Sequence, residues 1–328
     1  MKRVIESHFL CEAEIHGSSS FLQRINTLQE YYEDFVLKNL TSFFVRSCPA
    51  CLSPDFDHAF KIRRSEYQIC RNCCSVFISP CPEEESIYHF FEKEDVKHIF
   101  NDPQLIDDEE KRLSSVWDWR LNLLETLLPH EKNAQIAEIG AKYGRFTEKL
   151  RRRFPNAAVD SFSGFYGIGK FDGRLSFPPR EITRNSCDLV TLFDCVESFV
   201  VIPDKLHVIH DMLKKGGRLV LTTRSGSGFD INALWDRAAI FPSEHRSLIS
   251  VKGMHELLNN LKLIINEIST PGQLDTDIVK KRIHEVGNEQ RFIKSLYSRN
   301  NQNLLSNFQN FLQENLLSSH MFVVCSKP

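Results

Sequence analysis

Two groups of residues in this sequence have the types and spacing to do chemistry. The first is Cys48-Pro49-Ala50-Cys51 with Cys70-Arg71-Asn72-Cys73, two C-x2-C pairs separated by 18 residues. Paired knuckles of this kind can aim four thiolates at one point, which suits a tetrahedral Zn2+ with no open coordination position. A closed site holds structure and does no Lewis-acid chemistry, so the expected zinc is structural. Cys74 and Cys81 fall outside the doubled spacing. The second group is Ile136-Ala137-Glu138-Ile139-Gly140-Ala141-Lys142-Tyr143-Gly144-Arg145-Phe146. An apolar run ends in an acid, Gly140 follows, and Gly144 opens a helix. A parallel-sheet protein brings its backbone close to a small cofactor with such a turn at the end of its first strand. The spacing is G-x-x-x-G, whereas a dinucleotide fingerprint reads G-x-G-x-x-G with its acid about 20 residues further on.

The elements that must position these residues can be read from periodicity. Residues 19–44 have helical spacing, with Phe21, Ile25, Leu28, Tyr32, Phe35, Val36 and Leu40 on one face. The cysteine ribbon follows, with Phe60-Lys61-Ile62 and Tyr67-Gln68-Ile69 as short strands. Residues 83–129 read as charged helix with a stripe of Val116, Trp117, Leu121, Leu124 and Leu127. From Ile136 onward strands and helices alternate, which predicts an α/β domain. Strands are expected at 136–139, 157–160, 188–193 and 218–223, and helices at 144–154 and 203–213. Residues 262–265 and 321–325 read as edge strands, with polar helix between them. The expected segments are a helical 1–44, a zinc ribbon at 45–85, a helical connector at 86–130, a cofactor-binding core at 131–226 and a C-terminal part at 227–328.

Strand, acid, glycine, glycine, helix is the arrangement of sites for S-adenosylmethionine. Methyl transfer from that sulfonium is an in-line displacement with a neutral leaving group, so the protein chiefly positions donor and acceptor. Glu138 is expected to receive the ammonium of the methionine part, while Gly140, Ala141 and Gly144 supply close backbone. Asp160 is expected to end the second strand and accept the ribose hydroxyls. Phe193 and Asp194, at the end of the next strand, are expected to line the adenine and methionine region.

Residues 136–150 resemble the first motif of class I S-adenosylmethionine-dependent methyltransferases. The block DLVTLFDCVES followed by MLKKGGRLVLTT resembles the central block of the same family. A zinc ribbon ahead of such a domain is similar to a bacterial subgroup of sugar and surface-polysaccharide methyltransferases, including deoxysugar C-methyltransferases. The resemblance implies a Rossmann-like sheet with helices on both faces and a sugar or nucleotide sugar as acceptor. The subgroup carries Tyr-x-Glu-His after the last core strand, and this chain has Pro242-Ser243-Glu244-His245. His245 is therefore the candidate general base, with Glu244 to orient it or act alone. Lys142 stands where the first motif usually has glycine, and Ser198 where the block often has histidine.

Bulk properties narrow the classes. The chain has 328 residues, 41% hydrophobic and 26% charged, the composition of an ordinary globular protein. A formal charge of −2 gives no general electrostatic footprint for nucleic acid, which argues against an RNA base methyltransferase. Glu6 and His8 interrupt what would be a leader's apolar region, so a cytoplasmic protein is expected, and its ten cysteines point to metal binding or buried thiols before disulfides. No apolar run is long enough to span a bilayer. Gly164–Lys170 mimics a phosphate loop, but Phe171 stands where magnesium needs Ser or Thr. A degenerate, non-catalytic domain serving as an assembly partner is the remaining alternative. The oligomeric state is not encoded in any pattern found.

Overall fold

The computed structural model describes residues 19–38, 42–100, 102–128, 133–140, 144–163, 175–176 and 184–328. Its centre is a seven-stranded sheet. In chain order these strands are β6 (Gln135–Ile139), β7 (Ala158–Ser163), β8 (Leu175–Ser176), β9 (Cys187–Phe193), β10 (Leu213–Arg224), β12 (Ile264–Ser269) and β13 (His320–Ser326). Their spatial order is β12-β13-β10-β9-β6-β7-β8. The five strands from β10 to β8 are parallel, and β13 runs antiparallel between β10 and β12. The chain moves outward from β6 through β7 to β8, then returns to β9 on the other side of β6. The strand order therefore reverses between β6 and β9, and such a switch point opens a crevice at the carboxyl ends of the strands.

Both faces of the sheet are covered, which is why β9 and β10 read as nearly continuous apolar runs. One face buries Ile136, Leu189, Val220, Phe322 and Val324 against α4 (Pro103–Leu127) and α5 (Arg145–Arg153). The other buries Ala137, Ile139, Leu192, Leu221 and Val323 with α6 (Ile202–Met212), α8 (Val251–Asn260) and the N-terminal elements. Those elements are α1 (Ser19–Lys38), α2 (Glu84–Phe91), α3 (Glu94–Phe100) and the ribbon. The expected single helix over 83–129 is three helices, and α4 starts where Asp102 caps the amide of Gln104 ahead of Pro103.

The ribbon strands β2 (Phe56–Ile62), β3 (Ser65–Cys70) and β4 (Val76–Ile78) form an antiparallel sheet, and β1 (Phe43–Phe44) pairs with β5 (Cys81–Pro82) beside it. A fourth ribbon strand, β11 (Ser247–Leu248), comes from beyond the core and pairs with β4. The ribbon therefore extends beyond the expected limits of 45–85. Phe77 and the cysteines join the main core, whereas Phe60, Tyr67, Val76 and Ile78 join a second cluster. That second cluster includes α7 (Phe229–Leu234), α9 (Asp275–Lys281), α10 (Arg291–Ser298) and α11 (Gln302–Glu314). The expected C-terminal pieces 270–275 and 317–321 meet there: Ser318 Oγ donates to Asp275, and Ser319 N donates to its Oδ1 at 2.7 Å.

Candidate functional site

β6 delivers Glu138 to the face covered by α5. Its carboxylate is 5% exposed and accepts a hydrogen bond from Thr147, whose Oγ1 lies 3.1 Å from Ser161 Oγ. Glu138 thus ties the strand to the first turns of α5, and one of its oxygens is occupied by protein. Gly140 follows at φ +92°, in the left-handed region that favours glycine, and its amide donates to Phe162 O at 3.1 Å. A Cβ there would lie 2.8 Å from both Cβ and Sγ of Cys195. Gly144 caps α5 at φ +72°, with open space where its Cβ would be. Ala141 and Lys142, between these glycines, lie outside the described residues, as does the phosphate-loop mimic at 164–171.

Asp160 is placed differently from the expectation. β7 runs three residues further, to Ser163, so Asp160 is level with Ala137 in mid-sheet. Its exposed side chain accepts from Gln135 Nε2 at 2.6 Å, at the amino end of β6. The structure does not bring Asp160 to the carboxyl ends of the strands, and the residues just beyond Ser163 lie outside those described.

The end of β9 matches its expected place. Phe193 packs edge-on against Phe146 at 5.5 Å, and the guanidinium of Arg120 lies 4.4 Å from the centre of its ring. Asp194 turns the chain at φ +48°. It pairs with Arg120 and accepts from Thr222 Oγ1 at 2.8 Å, while its side chain keeps 43% exposure toward the crevice. Desolvation works against its charge, but Arg120 and His320, with hydrogen bonds from Arg120 and Thr222, hold the carboxyl well below the usual range. Arg120 is 4% exposed, and its Nε is buried with no hydrogen-bond partner among the described residues. His320, at the start of β13, is lowered by burial and by Arg120 against the opposing pull of Asp194.

Sequence reasoning missed Arg120 and Glu197. Arg120 interrupts the apolar stripe of α4 between Trp117 and Leu121, and a cation in such a stripe is a signal. Glu197 lies in the 3₁₀ turn after β9, is 5% exposed and accepts from Thr223 Oγ1 at 2.8 Å. Burial, then Asp194, push its carboxyl up to about 8 against hydrogen bonds from its own amide and Thr223, and Glu244 adds to the rise. Three carboxyl groups, Asp194, Glu197 and Glu244, thus share one electrostatic environment beyond β9 and β10.

Glu244 and His245 lie in the loop before β11, and both are part-buried. They do not cap α8, because Ser250 does so through Gly253 N at 2.8 Å. The amide of Phe241 donates to His245 Nδ1 at 2.9 Å. A backbone N–H can act only as a donor, so Nδ1 is the acceptor and the neutral ring carries its proton on Nε2. In this arrangement His245 offers a hydrogen-bond donor at Nε2 and no basic nitrogen to a substrate. This tautomer differs from the one a general base at Nε2 would need. His207 and His210 lie on α6, exposed and half-buried, away from this group.

The four expected metal ligands converge. The sulfurs of Cys48, Cys51, Cys70 and Cys73 all lie within 4.8 Å of one another, with Cys48–Cys73 at 3.5 Å and Cys51–Cys70 at 3.4 Å. Zn–S bonds of about 2.3 Å in a tetrahedron require sulfurs about 3.8 Å apart, so the donor set fits. The knuckles repeat one geometry: Leu52 N donates to Cys48 O at 3.0 Å, and Cys74 N to Cys70 O at 2.9 Å. Leu52 and Cys74 are both left-handed, at φ +63° and +61°. Hydrogen bonding from Cys48, and then from Ser75, holds Cys73 down to about 4, while the same Cys48–Cys73 contact and burial push Cys48 up. Cys81 is buried apart from this set, and Cys74 is exposed.

Residues 110–263 match the family model described as a methyltransferase domain. No curated protein matches the chain. Among solved structures, a Haemonchus contortus phosphoethanolamine N-methyltransferase 2 in complex with S-adenosyl-L-methionine aligns at 17% identity and a TM-score of 0.48, over 77% of this chain and 63% of that one. A second structure described as that nematode's enzyme aligns over 65% of this chain and 53% of that one, at 19% identity and a TM-score of 0.41. The chain thus spans less than two thirds of either nematode structure. Geranyl diphosphate C-methyltransferase from Streptomyces coelicolor aligns at 12% identity and a TM-score of 0.47, over 76% of this chain and 99% of that one. The matched segment contains α5 to α8, β6 to β10, Glu138, Asp194, Glu197 and the Glu244–His245 loop. Just under half of the chain, residues 110–263, is thus similar to a methyltransferase domain.

Proposed function

We propose that the chain transfers a methyl group from S-adenosylmethionine to a small molecule, and that the acceptor is a sugar or nucleotide sugar. The observation that carries the donor assignment is the β6–Gly140–Gly144–α5 turn at the sheet's switch point, with Asp194 opening beside it. Bound S-adenosylmethionine supplies an electrophilic methyl carbon and leaves as a neutral thioether. Gly140 keeps the turn clear, Gly144 starts α5 without a side chain, and Phe193 offers an aromatic wall. Glu138 acts through Thr147 to hold the turn on its helix. Arg120 fixes Asp194.

The acceptor reading rests on the ribbon and on Glu244–His245, the features that resemble the sugar subgroup. His245 Nε2 is suited to orient an acceptor oxygen, and Glu244 is suited to take the proton released, while Glu197, pushed up to about 8, holds its own proton at neutral pH. The four cysteines would hold zinc as a structural ion. Among the described residues no helix is long and apolar enough to cross a membrane.

Calorimetry with S-adenosylmethionine tests the donor, and mass spectrometry with labelled donor and a panel of nucleotide sugars tests the acceptor. Saturable binding lost in Gly140→Arg, with label in a sugar product, is the expected outcome. A well-folded, zinc-loaded protein that binds no S-adenosylmethionine would refute the reading.

A further inference from the structure

The loop 241–246 is gripped on one side by elements outside the matched methyltransferase segment. From α1, Gln29 is 1% exposed and grips Ser243 twice: its Nε2 donates to Ser243 Oγ at 2.5 Å, and Ser243 N donates to its Oε1 at 3.2 Å. From the ribbon, Tyr67 OH donates to His245 O at 2.9 Å. Ile78 N and Arg46 Nη2 both donate to Arg246 O, at 2.9 and 2.7 Å. Arg46 also reaches Val200 O at 2.7 Å, so one buried guanidinium joins ribbon, loop and core. Arg246 is fully buried and donates to Ser198 O at 2.6 Å and Ser243 O at 2.5 Å, while its amide donates to Glu197 O at 2.9 Å. Beyond the loop, Ser250 N donates to Ser75 Oγ at 3.0 Å, and Ser250 Oγ donates to Cys73 O.

These partners sit close to the four sulfurs in sequence. Arg46 is two residues before Cys48, Ser75 two after Cys73, and Ile78 ends β4. Backbone or hydroxyl groups of residues 243, 245 and 246 are engaged by α1 and the ribbon, while the Glu244 side chain acts on Glu197 and the His245 ring stacks on Phe241. The geometry points to Gln29 and Tyr67 as positioning residues. Through them α1 and the four-cysteine ribbon set the loop so that His245 keeps Nδ1 on Phe241 N. That this loop serves methyl transfer rests on the proposed function, but the clamp is testable without it.

The test uses the full chain loaded with Zn2+, as wild type and as the Gln29→Leu/Tyr67→Phe double variant. This variant removes three hydrogen bonds and introduces no charge. Amide exchange at residues 243–246 is expected to quicken about tenfold, with zinc content retained. Ring-nitrogen NMR should show the wild-type His245 in one Nε2–H tautomer and the variant in a mixture. Removing Zn2+ from the wild type by chelation should quicken exchange at the same amides. A variant that melts lower yet keeps the same exchange there and the same His245 ring signals has lost packing only, and the proposal fails. A chelated wild type with unchanged exchange at 243–246 overturns the metal's part. Absence of S-adenosylmethionine binding would strike the proposed function and leave these readouts intact.

Discussion

Glu197 carries a pH signature that a folding experiment can read. Its carboxyl is pushed up to about 8, first by burial and then by Asp194, whereas an unfolded glutamate titrates near 4.3. Between those values the unfolded chain releases a proton that the folded chain keeps. Folding stability therefore falls as pH rises, by up to about 1.4 kcal/mol per unit, and is greatest below the unfolded value. Glu197→Gln keeps an acceptor for Thr223 and abolishes the titration. Urea unfolding from pH 5 to pH 8 should show the variant with a flatter profile and a relative gain at the alkaline end, and equal slopes would contradict the assignment. Glu197 was visible in the sequence as an acid four residues past a buried strand. Its perturbation was not, because Thr223 and Glu244 reach it from other elements.

At the scale of elements, α4 contributes Arg120 to the end of β9. The pair with Asp194 is one-sided, with Arg120 buried and Asp194 open to the crevice. Arg120→Met keeps most of the packing against Phe193 but leaves Asp194 without its cation. Unfolding free energy is expected to drop by about 2 kcal/mol, with part recovered in Arg120→Met/Asp194→Asn, as a double-mutant cycle would measure. Strict additivity would show that the pair is not coupled. The strands of the sheet were legible because buried parallel strands read as apolar runs: 188–193 and 218–223 lie within β9 and β10. Asp160 misled because β7 continues through Ser161-Phe162-Ser163, where the buried Ser161 breaks the apolar pattern. β11 could not be seen at all. Two residues carry no periodicity, and their pairing with β4 is a distant contact.

At the scale of the molecule, the ribbon is an inner layer. Phe77 faces the main core, while Phe60, Tyr67, Val76 and Ile78 face the C-terminal helices. Trp235 reports on that second contact: its Nε1 donates to Ala59 O at 3.1 Å, and its ring meets Phe60 edge-on at 4.9 Å. The other two tryptophans, Trp117 and Trp119, lie on α4 on the far face of the sheet. Structural zinc in small modules contributes about 10–16 kcal/mol, and here that energy would be shared with the domains on either side. Cys48→Ser/Cys70→Ser, which removes one ligand from each knuckle, should therefore lower the melting transition of the whole chain. In a Trp117→Phe/Trp119→Phe background, the Trp235 signal and far-ultraviolet circular dichroism should melt together. A ribbon that folds as an independent appendage predicts the opposite: Trp235 would change on metal loss at low temperature while the helical signal and its midpoint stayed put. Coincident transitions that shift together with zinc content would show that the metal stabilises the main core through the layer it organises.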